Sequence, residues 1–209
     1  MQHSLREKVF LILEEDIING KYRQGQKLTE AMLSKDLGVS RTPIREALGQ
    51  LEIEGLVEIT PNKSIVVKGV TQEDIEDIYE IRELIEGLAA KKATQNITLQ
   101  ETEKMGEIIA LQEFYTGRND VNNLVKMDDQ FHETLFLASK SKTLSHILIM
   151  FHHTLKKARS DSFARRVRAN SVLSEHKAIY EAILRKDGKM AEKLAGTHVK
   201  NAKNRLLGK

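Results

Sequence analysis

The stretch from Leu28 to Val57, LTEAMLSKDLGVSRTPIREALGQLEIEGLV, constrains this chain more than any other, because it holds two short helix patterns joined by a tight turn. In the first, Ala31, Met32, Leu33 and Leu37 supply apolar spacing. Gly38 punctuates it, since glycine readily takes the left-handed conformation that ends a helix. Val39 fills the turn. Thr42-Pro43 opens the second pattern: threonine caps free amides, and proline at the first helical position loses no hydrogen bond. Steps of about 100° put Ile44, Ala47, Leu48 and Leu51 on one side and leave Arg45, Glu46, Gly49 and Gln50 outside. Arg41, just ahead of this helix, and Arg45, in its first turn, therefore project where a recognition helix meets base edges and phosphates in a DNA major groove. An arginine fork there takes guanine O6 and N7 together, worth roughly 1–3 kcal/mol of discrimination. On spacing alone, a three-helix domain with two solvated arginines fits equally well.

The residues after this stretch favour DNA. Leu56, Val57 and Ile59 make a short strand pattern, Pro61-Asn62-Lys63 has turn chemistry, and Ser64 to Lys68 reads as the returning strand of a hairpin wing. Residues Ser4 to Lys68 resemble the GntR family of winged-helix repressors. The family signature, of the Gly-Val-Ser-Arg-Thr-Pro-Val-Arg-Glu-Ala-Leu type, appears as Gly38 to Leu48 with only Ile44 different. Helix geometry and resemblance together make Lys35, Ser40, Arg41, Thr42, Arg45, Asn62 and Lys63 the candidate DNA-contacting residues. Two departures stand out. Fatty-acid regulators of the family carry arginine where this chain has Ala31, which removes one base or phosphate contact. The glycine that family wings place near Lys63-Ser64 is also missing.

Composition sets the outer bounds. A length of 209 residues suffices for two compact domains, and the absence of cysteine excludes disulfides and thiolate metal sites. No run approaches the length of a membrane-spanning helix, and Met1 to Gly20 is charged and amphipathic rather than a signal peptide, so a soluble cytoplasmic protein is expected. The net charge is +3, yet residues 1–68 hold ten Lys and Arg against ten Asp and Glu. Any electrostatic footprint on DNA must then come from placing Lys35, Arg41, Arg45, Lys63 and Lys68 on one surface, which favours a homodimer with modest contacts per half-site.

Leu5, Val9, Phe10, Ile12, Leu13, Ile17 and Ile18 form the apolar stripe of a first helix that stops at Asn19-Gly20. Tyr22 to Lys27 reads as a polar connection, and Thr29-Glu30 begins the next helix. Gly69-Val70-Thr71 reads as a short hinge, with Thr71 capping a new helix and Asp74 in its first turns. No proline follows Pro61, and the pattern stays helical: about Gln72 to Gln95, Leu99 to Gly117, Val121 to Ala138, Thr143 to Ser160, Ala164 to Arg185 and Lys189 to Leu207. The expected fold is mainly α. A winged helix-turn-helix over residues 1–68 precedes an all-α, six-helix domain for effector binding and dimerisation over 69–209.

The chemistry of that second domain lies in where its histidines point. Asp128 and His132, four apart, share a side with Val121, Leu124, Phe131 and Leu135. His176 falls among Val172, Ile179, Tyr180 and Ile183, and His198 among Leu194, Ala195 and Ala202. A buried carboxylate is costly unless paired. One inward acid and three inward imidazoles on three helices point to a divalent transition metal of the Zn²⁺, Ni²⁺ or Mn²⁺ kind; hydrogen-bonded core histidines are the plainer alternative. His146 and His153 share a side with Ile149 and Lys157, His152 lies on a flank beside Lys156, and His3 is in the N-terminal tail. None of these four is expected to be a ligand.

Asp128-Asp129-Gln130-Phe131-His132, Glu175-His176-Lys177-Ala178-Ile179 with Ala182-Ile183 and Asp187, and then His198 are similar to the C-terminal ligand-binding domain of the FadR subfamily, over about Thr71 to Leu207. The resemblance implies an ion, zinc first and nickel or manganese otherwise, held by Asp128, His132, His176 and His198. It also implies a small carboxylate effector on that ion, with Arg82 matching a family arginine that faces the pocket. A guanidinium fork suits a carboxylate. An intrahelical pair with Glu86 is the competing role for Arg82. Lys156, Lys157, Arg159, Arg165, Arg166 and Arg168 read as a solvated basic face.

The expectation is a dimeric, DNA-binding transcriptional repressor governed by a small carboxylate. A second reading is a metal-dependent hydrolase or lyase acting on a small organic acid, with an appended DNA-binding module. No inward general base and no nucleophile motif stand beside the four ligands to favour it. A third keeps the metal purely structural.

Overall fold

The computed structural model describes residues 4–60, 64–156 and 166–207. The chain divides into two compact units, Met1–Gln72 and Glu73–Lys209. The first is built from α1 (Leu5–Ile18), β1 (Lys27–Leu28), α2 (Glu30–Leu37), α3 (Arg41–Ile53), β2 (Val57–Ile59) and β3 (Ile65–Val67). Ser4 and Glu7 form a capping box that starts α1. That helix buries Val9, Leu13, Ile17 and Ile18 but leaves Leu5 and Ile12 exposed, a narrower stripe than the sequence suggests, because α3 is the helix it chiefly packs against.

Thr29 caps α2 by accepting from the Met32 amide, and Gly38 ends it at φ +65°, donating its N–H to the Ser34 carbonyl. The next helix begins earlier than Thr42-Pro43 implies. Ser40 is its N-cap residue and Pro43 its third helical residue, where a backbone N–H would still have no intrahelical partner. Proline is therefore tolerated anywhere in this first turn, and cannot fix the start to one residue. Ile44, Ala47, Leu48 and Leu51 form the buried face, packed with Leu33, Val57, Ile65 and Val67.

The strands form an antiparallel sheet of order β1-β3-β2, with Val57 opposite Val67 and Ile59 opposite Ile65. The wing pattern thus forms a hairpin. Residues Lys27 and Leu28, expected to lie in and just after a polar connection, add a third strand by pairing with Val66 and Ile65. Two residues are too few for a period-two pattern to show. Pro61, Asn62 and Lys63 lie outside the described residues.

The second unit is all helical: α4 (Gln72–Asn96), α5 (Leu99–Arg118), α6 (Val121–Ala138), α7 (Lys142–Thr154), α8 (Arg166–Leu184) and α9 (Gly188–Leu207). All six expected helices are present. The fourth ends at Thr154, and residues 157–160, which the sequence pattern places in it, lie outside the described residues. A Thr98–Glu101 capping box starts α5, Asn119 in the left-handed region ends it, and Asp120 caps α6. Helix α5 packs on α6 and α8, α6 on α7, and α8 on α9, around Met105, Ile108, Phe131, Leu135, Phe136, Leu148 and Ile183. At Gly87 a Cβ would lie 2.7 Å from the Glu192 carbonyl oxygen, so α4 and α9 meet backbone to backbone only because that atom is missing. Among the described residues no helix is long and apolar enough to cross a membrane.

On α1, Glu14 is half-buried, and burial first, then the charges of Glu54 and Glu15, raise its carboxyl from 4.5 to about 6. A raised acid destabilises the fold only where it must ionise. The penalty is absent below about pH 4.5 and complete above about pH 6. Glu14→Gln is expected to stabilise the protein by about 1 kcal/mol at pH 7.5, after discounting for solvent screening, and by nothing at pH 4. Urea unfolding at the two pH values checks this.

Candidate metal centre and nucleic-acid surface

Helical spacing sets Asp128 and His132 one turn apart on α6, while α8 carries His176 and α9 carries His198; all four are buried. The Nε2 atoms of His132 and His198 lie 3.3 Å apart. Asp128 Oδ1 lies 3.8 Å from His132 Nε2 and 3.7 Å from His176 Nε2. Ligand atoms of His132, His176 and His198 all fall within 4.8 Å of one another. Phe131 stacks on the His176 ring at 4.0 Å between centroids, which fixes its plane.

The group facing the other nitrogen of each ring decides what these imidazoles can do. His198 Nδ1 lies 2.7 Å from Glu175 Oε2, and His176 Nδ1 lies 2.9 Å from Gln112 Oε1. His132 Nδ1 lies 3.0 Å from Glu86 Oε1, within ion-pair distance though not aligned as a hydrogen bond. At His176 and His198 an acceptor oxygen beside Nδ1 favours the proton there, the tautomer that turns the Nε2 lone pair toward the interior. Burial also pushes the His132 imidazole below its ordinary pKa, against the pull of Glu86, which favours the neutral form. Two Nε2 atoms 3.3 Å apart are held together either by a proton shared as a hydrogen bond or by a cation between them. The donor set fits a divalent ion: three buried imidazoles and a carboxylate, with outer partners already aimed.

Those outer partners are strongly held. Burial alone would raise the Glu86 carboxyl, but the Arg82 guanidinium and His132 overturn that and hold it at about 2. Burial likewise works against Glu175, which His198, Arg205 and Asn201 nevertheless hold at about 2. Arg205 grips both oxygens of Glu175, Nη1 at 2.8 Å and Nη2 at 2.9 Å.

Of the two roles open to Arg82, the structure shows the intrahelical pair: Nε and Nη2 reach Glu86 Oε2 at 2.9 and 2.8 Å, both side chains buried. Its Nη1 has no hydrogen-bond partner among the described residues. His152, which the sequence pattern puts on a flank, is instead buried, with Nε2 3.6 Å from Asp128 Oδ2 and 3.2 Å from Asp129 Oδ1. Asp128, His132 and His152 thus form a second group of close donors. A cavity of about 200 Å³ opens beside it, lined by Asp129, Glu133, Phe136, Ile149, His152, His153 and Lys156. His146 is exposed. His3, Lys157, Arg159 and Arg165 lie outside the described residues.

Sequence reasoning does not single out Glu86, Gln112, Glu175 or His152 as parts of this site. Two of them carry a signal. Gln112 continues the buried row Met105, Ile108 and Ile109, and His152 sits between Leu148 and Leu155, so each is a polar side chain on an apolar stripe that demands a partner. Glu175, about 100° from His176 on its own helix, gives no such sign, because its partners come from α9.

In the first unit Lys35, Ser40, Arg41, Thr42 and Arg45 are all exposed. Arg45 is also tied to Glu30, through Nε at 2.8 Å and Nη2 at 2.7 Å, and Lys68 pairs with Glu58 at 2.7 Å. Asn62 and Lys63 lie outside the described residues.

Comparison with known proteins bears on both units. Residues 5–67 match the model for bacterial regulatory proteins of the gntR family, and residues 77–201 that for the FCD domain. The chain is similar to the HTH-type transcriptional regulator YdhC of Bacillus subtilis, 29% identical over 196 residues, covering 89% of this chain and 84% of that one. It is also similar to the HTH-type transcriptional repressor RspR of Escherichia coli, 25% identical over 195 residues, covering 93% and 86%. The solved structure of Escherichia coli McbR/YncC shares the fold, with a TM-score of 0.81 at 19% identity over 99% of each chain. These matches give the hydrolase or lyase reading no support.

Removing an outer partner is expected to weaken divalent-metal binding by about 10- to 100-fold. Gln112→Ala tests this in a zinc titration of metal-free protein followed by calorimetry, with exposed His146→Ala as the control that leaves affinity unchanged.

Proposed function

Because the chain belongs to the GntR family of bacterial regulatory proteins, with an FCD domain behind its helix-turn-helix, we propose that this DNA-binding transcriptional regulator is a repressor controlled by a small carboxylate at a metal centre. Residues 1–68 read the operator, and residues 69–209 bind the effector and dimerise. Arg41 and Arg45 take base edges in the major groove, Lys35, Ser40 and Thr42 take phosphates, and Asn62 and Lys63, outside the described residues, are the remaining DNA-contacting candidates. Two copies place two such helices on a short pseudo-palindrome, which compensates for the modest charge of each reading unit.

The observation that carries the metal half of this reading is the convergence of three Nε2 atoms whose Nδ1 partners face acceptor oxygens. Asp128, His132, His176 and His198 would hold the ion, zinc first because imidazole and carboxylate suit it, with nickel or manganese as alternatives. The bound ion supplies an electropositive position for a carboxylate oxygen. Arg82, its Nη2 and Nε engaged by Glu86, keeps Nη1 as the donor for the effector's other oxygen. A coupling of about 1–3 kcal/mol between effector and operator gives a 5- to 150-fold change in affinity for DNA.

Purified protein is expected to carry a transition metal by elemental analysis, and an Asp128→Ala, His176→Ala double variant to lose it. A small-carboxylate library is expected to shift operator affinity of the parent protein and leave that of the double variant untouched. Metal-free protein that takes up no zinc, nickel or manganese would sink the proposal.

A further inference from the structure

We propose that Glu30 is a positioning residue for sequence reading: it holds the Arg45 guanidinium in the orientation that takes a guanine, and so sets discrimination between DNA sequences. The proposal rests on the reading of Arg45 as a base-contacting residue. Glu30 is the first residue of α2, at a helix end capped by Thr29, and Arg45 lies fifteen residues on, in the second turn of α3. The carboxylate grips one edge of the guanidinium, Oε1 on Nε at 2.8 Å and Oε2 on Nη2 at 2.7 Å. That edge is spent. What stays open is the Nη1–Nη2 end, the parallel pair of donors whose spacing matches guanine O6 and N7.

Energetics argue that the pair serves orientation rather than folding. The Arg45 side chain is 67% exposed and that of Glu30 23%, and exposed ion pairs add little to stability. An arginine already immobilised before DNA arrives, however, loses less freedom on binding and presents its fork in one direction. The acid has a second effect. A carboxylate at a surface that meets DNA repels phosphates, so a shifted docking that would draw Arg45 onto the backbone is penalised. Glu30 therefore trades non-specific affinity for discrimination, the opposite of what a lysine or an alanine there would do.

The test uses the full-length, metal-loaded protein and duplexes that it selects from randomised DNA. Each guanine of the selected site is replaced in turn by 7-deazaguanine, which lacks N7, and binding is read by fluorescence anisotropy. The guanine read by Arg45 is the one whose replacement penalty disappears in Arg45→Ala. At that guanine, Glu30→Ala is expected to shrink the penalty by about 3- to 10-fold, while affinity for unrelated duplex rises. Glu30→Gln, which keeps one acceptor oxygen, falls between the parent and Glu30→Ala. Unchanged thermal midpoints for both variants confirm folding. Parent-like penalties in both Glu30 variants, with the Arg45→Ala effect intact, would overturn this inference alone. An Arg45→Ala protein that keeps every guanine penalty would overturn the base-reading assignment itself, and this inference with it.

Discussion

The interior of the helical unit depends on one electrostatic arrangement: acceptor oxygens set behind the Nδ1 atoms of buried imidazoles that converge on one another. Glu86, Gln112 and Glu175 do this for His132, His176 and His198 from three different helices. Burying a carboxylate and a guanidinium is expensive, and the cost is recovered only when the whole network is in place. Arg82 offsets Glu86 at contact distance in the same buried layer, and Arg205 with Asn201 offsets Glu175 nearer the surface. Removing one acid would strand its cation as well as free its ring.

That arrangement explains why the site is only partly legible in the sequence. Inward direction is a property of one helix at a time, and Asp128, His132, His176 and His198 each sit on an apolar stripe that periodicity exposes. Partnership across helices is not. Glu175 lies off the stripe of its own helix yet meets His198, Asn201 and Arg205 of α9. His152 escapes notice because Lys156, four residues on, suggests a solvated flank, although Leu148 and Leu155 mark the same row as buried. The fold comes through more fully than the network. Six helices and a hairpin follow from apolar spacing and caps, whereas the two-residue strand at Lys27–Leu28 exists only through its pairing with β3.

The reading unit follows a different economy. Residues 1–68 hold as many acids as bases, and two of the surface cations are matched locally, Arg45 by Glu30 and Lys68 by Glu58. Such a surface has little long-range attraction for DNA in general. It relies on contacts made at close range, because attraction between exposed charges is largely screened beyond a Debye length of about 8 Å at physiological salt.

Gly87 is one residue from Glu86, and the place its Cβ would take lies 2.7 Å from the Glu192 carbonyl oxygen of α9. The carboxylate behind His132 is thereby referenced to a main-chain contact instead of to a chain of soft side chains. Even a methyl group at that position would have to wedge two helices apart, and the misfit would reach the contact between Glu86 and His132 with no charge altered at all. The tolerance of the polar interior is set by a hydrogen atom on the seam between two helices.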